Sequence, residues 1–139
     1  FSISLNYNRF HTNLELPSNY SIVKMKKFNI NHNFGFGNYN MVAEVTECIP
    51  PNRLCISEYC IDDKKKGFSH SIEFQIEPSF EKSKICYTVT GTYGGKVQDM
   101  SFKPILKGVM IEELLKIKNA IESSEKAPKP ITTETVKPI

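Results

Sequence analysis

Histidine is the residue of this sequence with the widest chemical use, and the three histidines stand in different surroundings. His70 lies on the apolar face of an alternating run, between Phe68 and Ile72. A neutral imidazole there can hydrogen-bond a ligand carbonyl or act as a general base, whereas a hydrogen-bonded core histidine is the alternative interpretation. His11 and His32 occur in polar, asparagine-rich segments and are predicted to lie at the surface.

The remaining reactive residues form no pattern typical of a metal centre or a nucleophile. The histidines have no regular spacing to Cys or Asp, no cysteine pair is spaced C-x-x-C, and no G-x-S-x-G elbow occurs. We therefore expect no metal, no cofactor and no assigned catalytic residue. Cys48 and Cys55 flank the IPPNRL turn, where either a cross-strand disulfide or two free thiols would fit.

Three glutamates complete the candidates for acid–base chemistry. Glu44, Glu47 and Glu58 fall in consecutive strand-like segments. Which of them approach one another depends on the register of the hairpin, and carboxylates on the outer face of a sheet are usually just solvated.

The glycine-rich stretch NFGFGNYNMVAEV, residues 33–45, raises the question of a phosphate loop. Such a loop needs its glycines where a strand enters a helix. Here the segment after Gly37 alternates with a period of two, so the glycines lead into a strand. We predict a tight turn with positive φ at Gly35 or Gly37, and no nucleotide site.

Composition excludes several classes of protein. The 139 residues carry a net charge of +3, with 16 lysines but only two arginines, which does not favour nucleic-acid recognition. No apolar run approaches the roughly 18–20 residues of a membrane helix, and no signal peptide is visible in the first residues given. A cytoplasmic protein with no nucleic-acid partner and no membrane insertion is expected.

The elements that must position these residues are mostly strands. Residues 20–32, 38–49, 53–61, 68–77 and 85–93 read as strands separated by short turns, which predicts an antiparallel meander. The alternation is clearest in the segment whose apolar face carries Phe68, His70, Ile72, Phe74 and Ile76. The polar residues between them form a face exposed to solvent. The period then changes to three and four over residues 101–124, as in one long amphipathic helix. Asp99 or Ser101 can cap it, and Pro104 would then fall in its first turn.

The predicted architecture is α+β: a curved antiparallel sheet of about six to seven strands around one long C-terminal helix. Residues 1–125 form a single domain, with 1–16 as one irregular strand or strand pair, and residues 126–139 form a Pro-, Lys- and Thr-rich tail. The helix is the only long apolar stripe that can cover the sheet. Large, partly polar residues on the inner face suit a ligand cavity. The predicted pocket residues are Tyr39, Met41, His70, Phe74, Tyr87 and Tyr93 from the sheet, with Met110 and Leu114 from the helix.

The GFGNYNMVAEVTECIPPNRL segment, the TGTYGG strand end and the MSFKPILKGVMIEELLKIKNAIES helix resemble the helix-grip superfamily. That superfamily includes START lipid-transfer domains, birch-pollen-allergen-like proteins and polyketide cyclase/dehydrase-like proteins. The resemblance covers residues 20–124 and implies a sheet that grips the helix around a hydrophobic ligand cavity. The two short helices that usually follow the first strand are not evident here. The chain is thus either a shortened member or lacks its N-terminal portion.

This resemblance implies binding or transport of a hydrophobic small molecule, lipid-like, acyl or polycyclic, in the cavity between sheet and helix. The alternative that it implies is a cyclase- or dehydratase-like enzyme that uses a cavity His or Tyr as acid or base. Binding without catalysis is the favoured expectation. A shortened domain would leave one end of the cavity open, which motivates a homodimer as a further expectation.

Overall fold

Six strands and one helix make up the computed structural model, which describes residues 8–15, 27–35, 37–63 and 68–126. The strands are β1 (His11–Glu15), β2 (Lys27–Asn33), β3 (Asn38–Ile49), β4 (Arg53–Cys60), β5 (Ser69–Ser79) and β6 (Lys82–Thr92), and the helix is α1 (Lys96–Lys126). Each strand pairs antiparallel with the next one in the chain, in the order β1-β2-β3-β4-β5-β6. The predicted α+β meander with one long C-terminal helix is confirmed, with six strands in the described part of the chain.

The turns between strands follow the glycine and proline signals. Gly35 and Gly37 have φ of 91° and 144°, and the Asn33 side chain accepts a hydrogen bond from the Gly35 amide at 2.8 Å. Those φ values are open to glycine because it has no Cβ. The strand that follows begins at Asn38 and ends at Ile49, just before Pro50. The predicted turn, rather than a phosphate loop at a helix start, is confirmed.

The inner face of the sheet is best described by its cross-strand rows. One row joins Glu58, His70 and Gly91, the next joins Ile56, Ile72 and Val89, and the third joins Leu54, Phe74 and Tyr87. Successive rows on one face are two residues apart, or about 7 Å along the strands. These three rows therefore span about 13 Å of the surface that faces the helix.

The helix begins earlier than its apolar spacing predicted. It starts at Lys96, so Pro104 lies in its interior and not in its first turn. Asp99 fixes this start, because its carboxylate accepts hydrogen bonds from the Tyr93 amide at 2.5 Å and from the Thr92 hydroxyl at 2.8 Å. A carboxylate in the first turn also interacts favourably with the helix dipole. A Cβ on Gly108 would meet no atom within 4 Å, so no close contact requires that glycine.

The core lies between the sheet and one stripe of α1. From the helix, Phe102, Val109, Glu113 and Ile117 are buried at spacings of seven, four and four residues, which places them on one face. An aromatic cluster closes one end, where the Phe102 ring lies 5.0 Å from Phe68 and 5.9 Å from Phe34 between centroids. The sheet contributes Phe28, Ile30, Met41, Ala43, Ile56, Cys60 and Ile72 to the same core, with Phe10 and Phe68, each just before a strand, packed beside them.

Several sequence-based predictions fall in part on residues outside the described ranges: residues 1–7 and 16 of the strand or strand pair predicted over 1–16, the first part of the 20–32 strand, the basic turn at 64–67 and the tail from 127 onward. Cys48 and Cys55 are free cysteines. A shift of register between Val45 and Glu47 pairs Cys55 with Glu47 instead of Cys48. Among the described residues, no helix combines the length and apolarity needed to cross a membrane.

Candidate functional site

A buried glutamate between two histidines is the most unusual feature of the interior. The solvent-exposed fraction of the side chain is 0% for Glu58, 3% for His32 and 6% for His70. Glu58 Oε2 lies 3.1 Å from His32 Nε2 and 3.2 Å from His70 Nε2. Neither Glu58 oxygen has a partner with hydrogen-bond geometry in the described part of the chain, and the same holds for His32 Nδ1. The three side chains are thus close together, but their hydrogen-bonding capacity is not fully used.

Glu58 points inward because β4 buries its even-numbered positions, Ile56, Glu58 and Cys60. Its neighbour across the β3–β4 ladder is Ala43. Ala43 is the smallest side chain on the inner face of β3, and it leaves room for the carboxylate to reach across β3 toward His32 on β2. On the other side, His70 pairs with Gly91, where a Cβ would lie 2.7 Å from the His70 Cβ. Two small residues thus flank the glutamate and its histidine.

Electrostatics keep Glu58 ionised despite its burial. Burial opposes the charged form and is the largest single influence on the group. The rings of His32 and His70 beside the carboxylate favour its charged form and outweigh burial, so the pKa of Glu58 lies well below the usual range of a glutamate. The interior at this point therefore contains a carboxylate, and the two imidazole rings beside it make its burial tolerable.

His11 enlarges this group to a set of possible metal ligands. It pairs with His32 across the β1–β2 ladder, and the two rings meet edge to face with 4.6 Å between centroids. One ligand atom each from His11, His32 and Glu58 lie within 4.8 Å of one another. His11 is half-buried, whereas the other two are buried. The four residues His11, His32, Glu58 and His70 are called the histidine–glutamate cluster below.

A second buried acid, Glu113 of α1, meets the sheet farther along. Its Oε2 accepts hydrogen bonds from Asn8 Nδ2 at 2.9 Å and from the Tyr87 hydroxyl at 3.2 Å. Burial and the negative charge of Glu113 raise the pKa of Tyr87 above that of a free tyrosine. The Tyr87 hydroxyl therefore keeps its proton near neutral pH and acts as a donor.

The inner face changes from closed to open along the three rows. Glu58 and His70 are buried, as are Ile56 and Ile72 of the next row. The third row consists of Leu54, Phe74 and Tyr87, which pack against the core but are only partly buried. Phe74 and Tyr87 stack with 4.5 Å between centroids and 15° between planes. This row is called the open aromatic row below.

The predicted pocket residues divide into several groups. Met41 and His70 are buried, which places them in the closed part of the interior. Phe74 and Tyr87 form most of the open aromatic row, while Tyr39 and Tyr93 are partly buried at the opposite end, beside Phe34. Burial and the neighbouring Tyr39 raise the pKa of Tyr93. Met110 and Leu114 are half-buried and flank the buried stripe of the helix.

Sequence reasoning missed most of the histidine–glutamate cluster. His32 is 2% exposed, so the prediction of a surface residue is wrong, and His11 is half-buried. The register of the hairpin, which the sequence left open, separates the three glutamates. Glu44 lies 3.5 Å from Lys27 and Glu47 lies 3.1 Å from Arg53 on the outer face, while Glu58 faces inward. The alternation of Phe28, Ile30 and His32 with polar residues is the signal that could have placed His32 inside.

Comparison with known proteins supports the fold and no more. No family model matches the sequence, and no curated protein does. Among solved structures, the chain is similar to a conserved protein from Geobacillus kaustophilus, at 16% sequence identity and a TM-score of 0.61. The similarity covers 88% of this chain and 82% of that one. A curved antiparallel sheet with one C-terminal helix fits a helix-grip-like fold.

Proposed function

We propose that the protein binds or carries a small, largely apolar molecule between the sheet and the helix, with the open aromatic row as the contact surface. Lipid-like, acyl and polycyclic compounds share the required chemistry. The observation that carries the proposal is the incomplete burial of Leu54, Phe74 and Tyr87, three large inward-facing side chains that already pack on the core. Covering such surface gains about 25 cal/mol per Å².

The neighbours of this row extend its apolar surface and add polar groups that can orient a ligand. Ile76 pairs with Ile85 in the next row along β5 and β6, and Ile76 is 36% exposed, so the apolar surface continues beyond Phe74. The Tyr87 hydroxyl and the Glu113 carboxylate lie at its inner side. An apolar ligand with one polar group fits this arrangement, since ligand sites are mostly apolar with few orienting polar groups.

The fold supports the same proposal. The sequence resembles the helix-grip superfamily, whose members hold hydrophobic ligands between a curved sheet and a C-terminal helix. The structure has that sheet and that helix, and the described part of the chain includes most of the segment that carries the resemblance. Because a fold hosts many functions, the proposal rests on the open aromatic row and uses the resemblance as support.

Acid–base catalysis is the alternative, and the interior favours it less. A catalytic acid or base must come within hydrogen-bond reach of its substrate. The His70 side chain is 6% exposed and Glu58 is closed off completely. The raised pKa of Tyr87 keeps its hydroxyl protonated near neutral pH, so no phenolate is present there to act as a base. If His70 were the base of a reaction, His70→Ala would abolish turnover while leaving ligand binding at the open aromatic row.

The test compares two phenylalanines that differ in burial. Phe74 belongs to the open aromatic row, whereas Phe80, in the turn after β5, is 90% exposed. Binding of cis-parinaric acid is followed by fluorescence for the wild type, Phe74→Ala and Phe80→Ala. Loss of about half of a phenylalanine's burial energy, about 1.4 kcal/mol, predicts about tenfold weaker binding for Phe74→Ala. Phe80→Ala should bind like the wild type.

Two results would contradict the proposal. One is no saturable binding of the probe to the wild-type protein, together with no co-purified lipid in native mass spectrometry. The other is equal weakening by Phe74→Ala and Phe80→Ala, which would indicate adsorption to any exposed ring. Thermal unfolding of both variants checks that Phe74→Ala has kept the fold at the temperature of the titration.

A further inference from the structure

We propose that His11, His32 and Glu58 form a binding site for one divalent transition-metal ion of the zinc or cobalt type, supported by His70. The three ligands come from β1, β2 and β4, and one ligand atom from each lies within 4.8 Å of the other two. This site belongs to the closed end of the interior. It does not rest on the open aromatic row or on the proposed ligand.

The distances inside the cluster fit a shared ion. His32 Nε2 and Glu58 Oε2 are 3.1 Å apart. Two ligands of a tetrahedral zinc ion, each about 2.0 Å from the metal, lie about 3.3 Å apart. The two side chains are thus already near the separation that one metal ion imposes on its ligands.

His70 contacts the Glu58 carboxylate and is itself held by a backbone carbonyl. Its Nδ1 lies 2.6 Å from the Phe68 carbonyl oxygen. A carbonyl only accepts, so Nδ1 carries the hydrogen of this contact. The other ring nitrogen, Nε2, lies 3.2 Å from a carboxylate oxygen of Glu58.

Carboxylates that ligate a metal are commonly held in turn by neighbouring hydrogen-bonding groups. We assign His70 a positioning role. It holds the Glu58 carboxylate from one side while His11 and His32 approach from β1 and β2. Stacking fixes the ring orientations: Phe68 lies 4.6 Å from His70 at 13°, and Phe34 lies 5.1 Å from His32 at 20°.

Ligand type and burial decide the class of ion. Two imidazoles and one carboxylate suit zinc, cobalt, nickel or copper, whereas calcium and magnesium prefer oxygen ligands only. The Glu58 oxygens and His32 Nδ1 are buried and have no hydrogen-bond partner among the described residues. His11 is half-buried, which provides a route for the ion from solvent.

The experiment uses the full chain, stripped with a chelator and then titrated with Co²⁺. Visible absorption bands of bound cobalt report coordination, and calorimetry with Zn²⁺ gives stoichiometry and affinity. We expect one ion per chain, with zinc displacing cobalt. Glu58→Gln removes the charge but keeps the shape of the side chain, and His11→Ala removes a half-buried ligand that is less critical for folding. Each should weaken cobalt binding at least 100-fold.

Glu44→Gln is the matched control, because Glu44 is a carboxylate on the outer face of the same sheet. It should bind cobalt like the wild type. The proposal is overturned if, at 100-fold excess of metal over protein, the wild type shows neither the absorption bands of bound cobalt nor a heat of zinc binding. It is overturned equally if His11→Ala and Glu58→Gln, both folded by circular dichroism, keep wild-type affinity. Binding of cis-parinaric acid to metal-free protein separates this outcome from failure of the ligand proposal.

Discussion

Gly91 is the position at which one added methyl group should have the largest effect on this fold. A Cβ there would lie 2.6 Å from the Ser69 carbonyl oxygen and 2.7 Å from the His70 Cβ. Ordinary contacts between such atoms begin near about 3.4 Å, so the overlap is about 0.7–0.8 Å. One of these atoms is a backbone oxygen and the other is a Cβ, so neither can move away by rotation of a side chain. In Gly91→Ala, β5 and β6 must therefore separate or shift.

Overpacking of this kind costs about 1–3 kcal/mol. For a domain of this size, 1 kcal/mol corresponds to about 3–4 °C in Tm. We expect Gly91→Ala to lower Tm by about 6–8 °C for a 2 kcal/mol effect. Thermal unfolding followed by circular dichroism, with guanidinium unfolding as a second measure, gives the free energy of unfolding.

Gly108→Ala is the control with the opposite sign. Gly108 lies in the interior of α1, and its Cβ would meet no atom within 4 Å. Replacing a glycine by alanine in a helix stabilises it by about 1 kcal/mol. We therefore expect a rise of about 3–4 °C. A Tm of Gly91→Ala at or above that of the wild type would refute the steric reasoning, and a fall for Gly108→Ala would show that this glycine is needed for another reason.

Three further predictions concern single contacts. Asp99→Ala should lower the free energy of unfolding by about 1–2 kcal/mol in guanidinium, because Asp99 holds the Tyr93 amide at the start of the helix. Tyr87→Phe should cost about 1.5 kcal/mol in the same assay, since it removes a hydrogen bond to the buried Glu113 carboxylate; no change would mean that the bond contributes nothing net. Gly37→Val should cost about 1–3 kcal/mol, because φ there is 144°, and wild-type stability would show that the turn adapts freely.

The strands and their order were predictable because short turns join neighbours in the chain. Alternation placed β3 at residues 38–49, the bounds that the structure has, and it placed His70 on the inner face of β5. The start of α1 was predicted too late. Asp99 accepts hydrogen bonds from Thr92 and Tyr93, which precede the helix, so the helix begins at Lys96 and Pro104 lies in its interior instead of its first turn.

The cluster was not predictable in the same way. In β4 both parities carry apolar residues, with Ile56 and Cys60 on one side and Cys55 and Tyr59 on the other. Local alternation therefore does not decide whether Glu58 faces the core or the solvent. That choice depends on pairing with β3 and β5, where a register shift at Val45 and the Glu58–His70 pair fix the inward face.

The sequence by itself determined the turns, the meander and the presence of one long helix, because these depend on residues close together in the chain. The tertiary structure decided which polar residues meet. His11, Glu58 and His70 are 47 and 12 residues apart, and only the curl of the sheet brings them to one point. The buried Glu58 carboxylate is tolerated there because His32 and His70 lie beside it. These partners come from other strands, so no local pattern in the sequence predicts the contact.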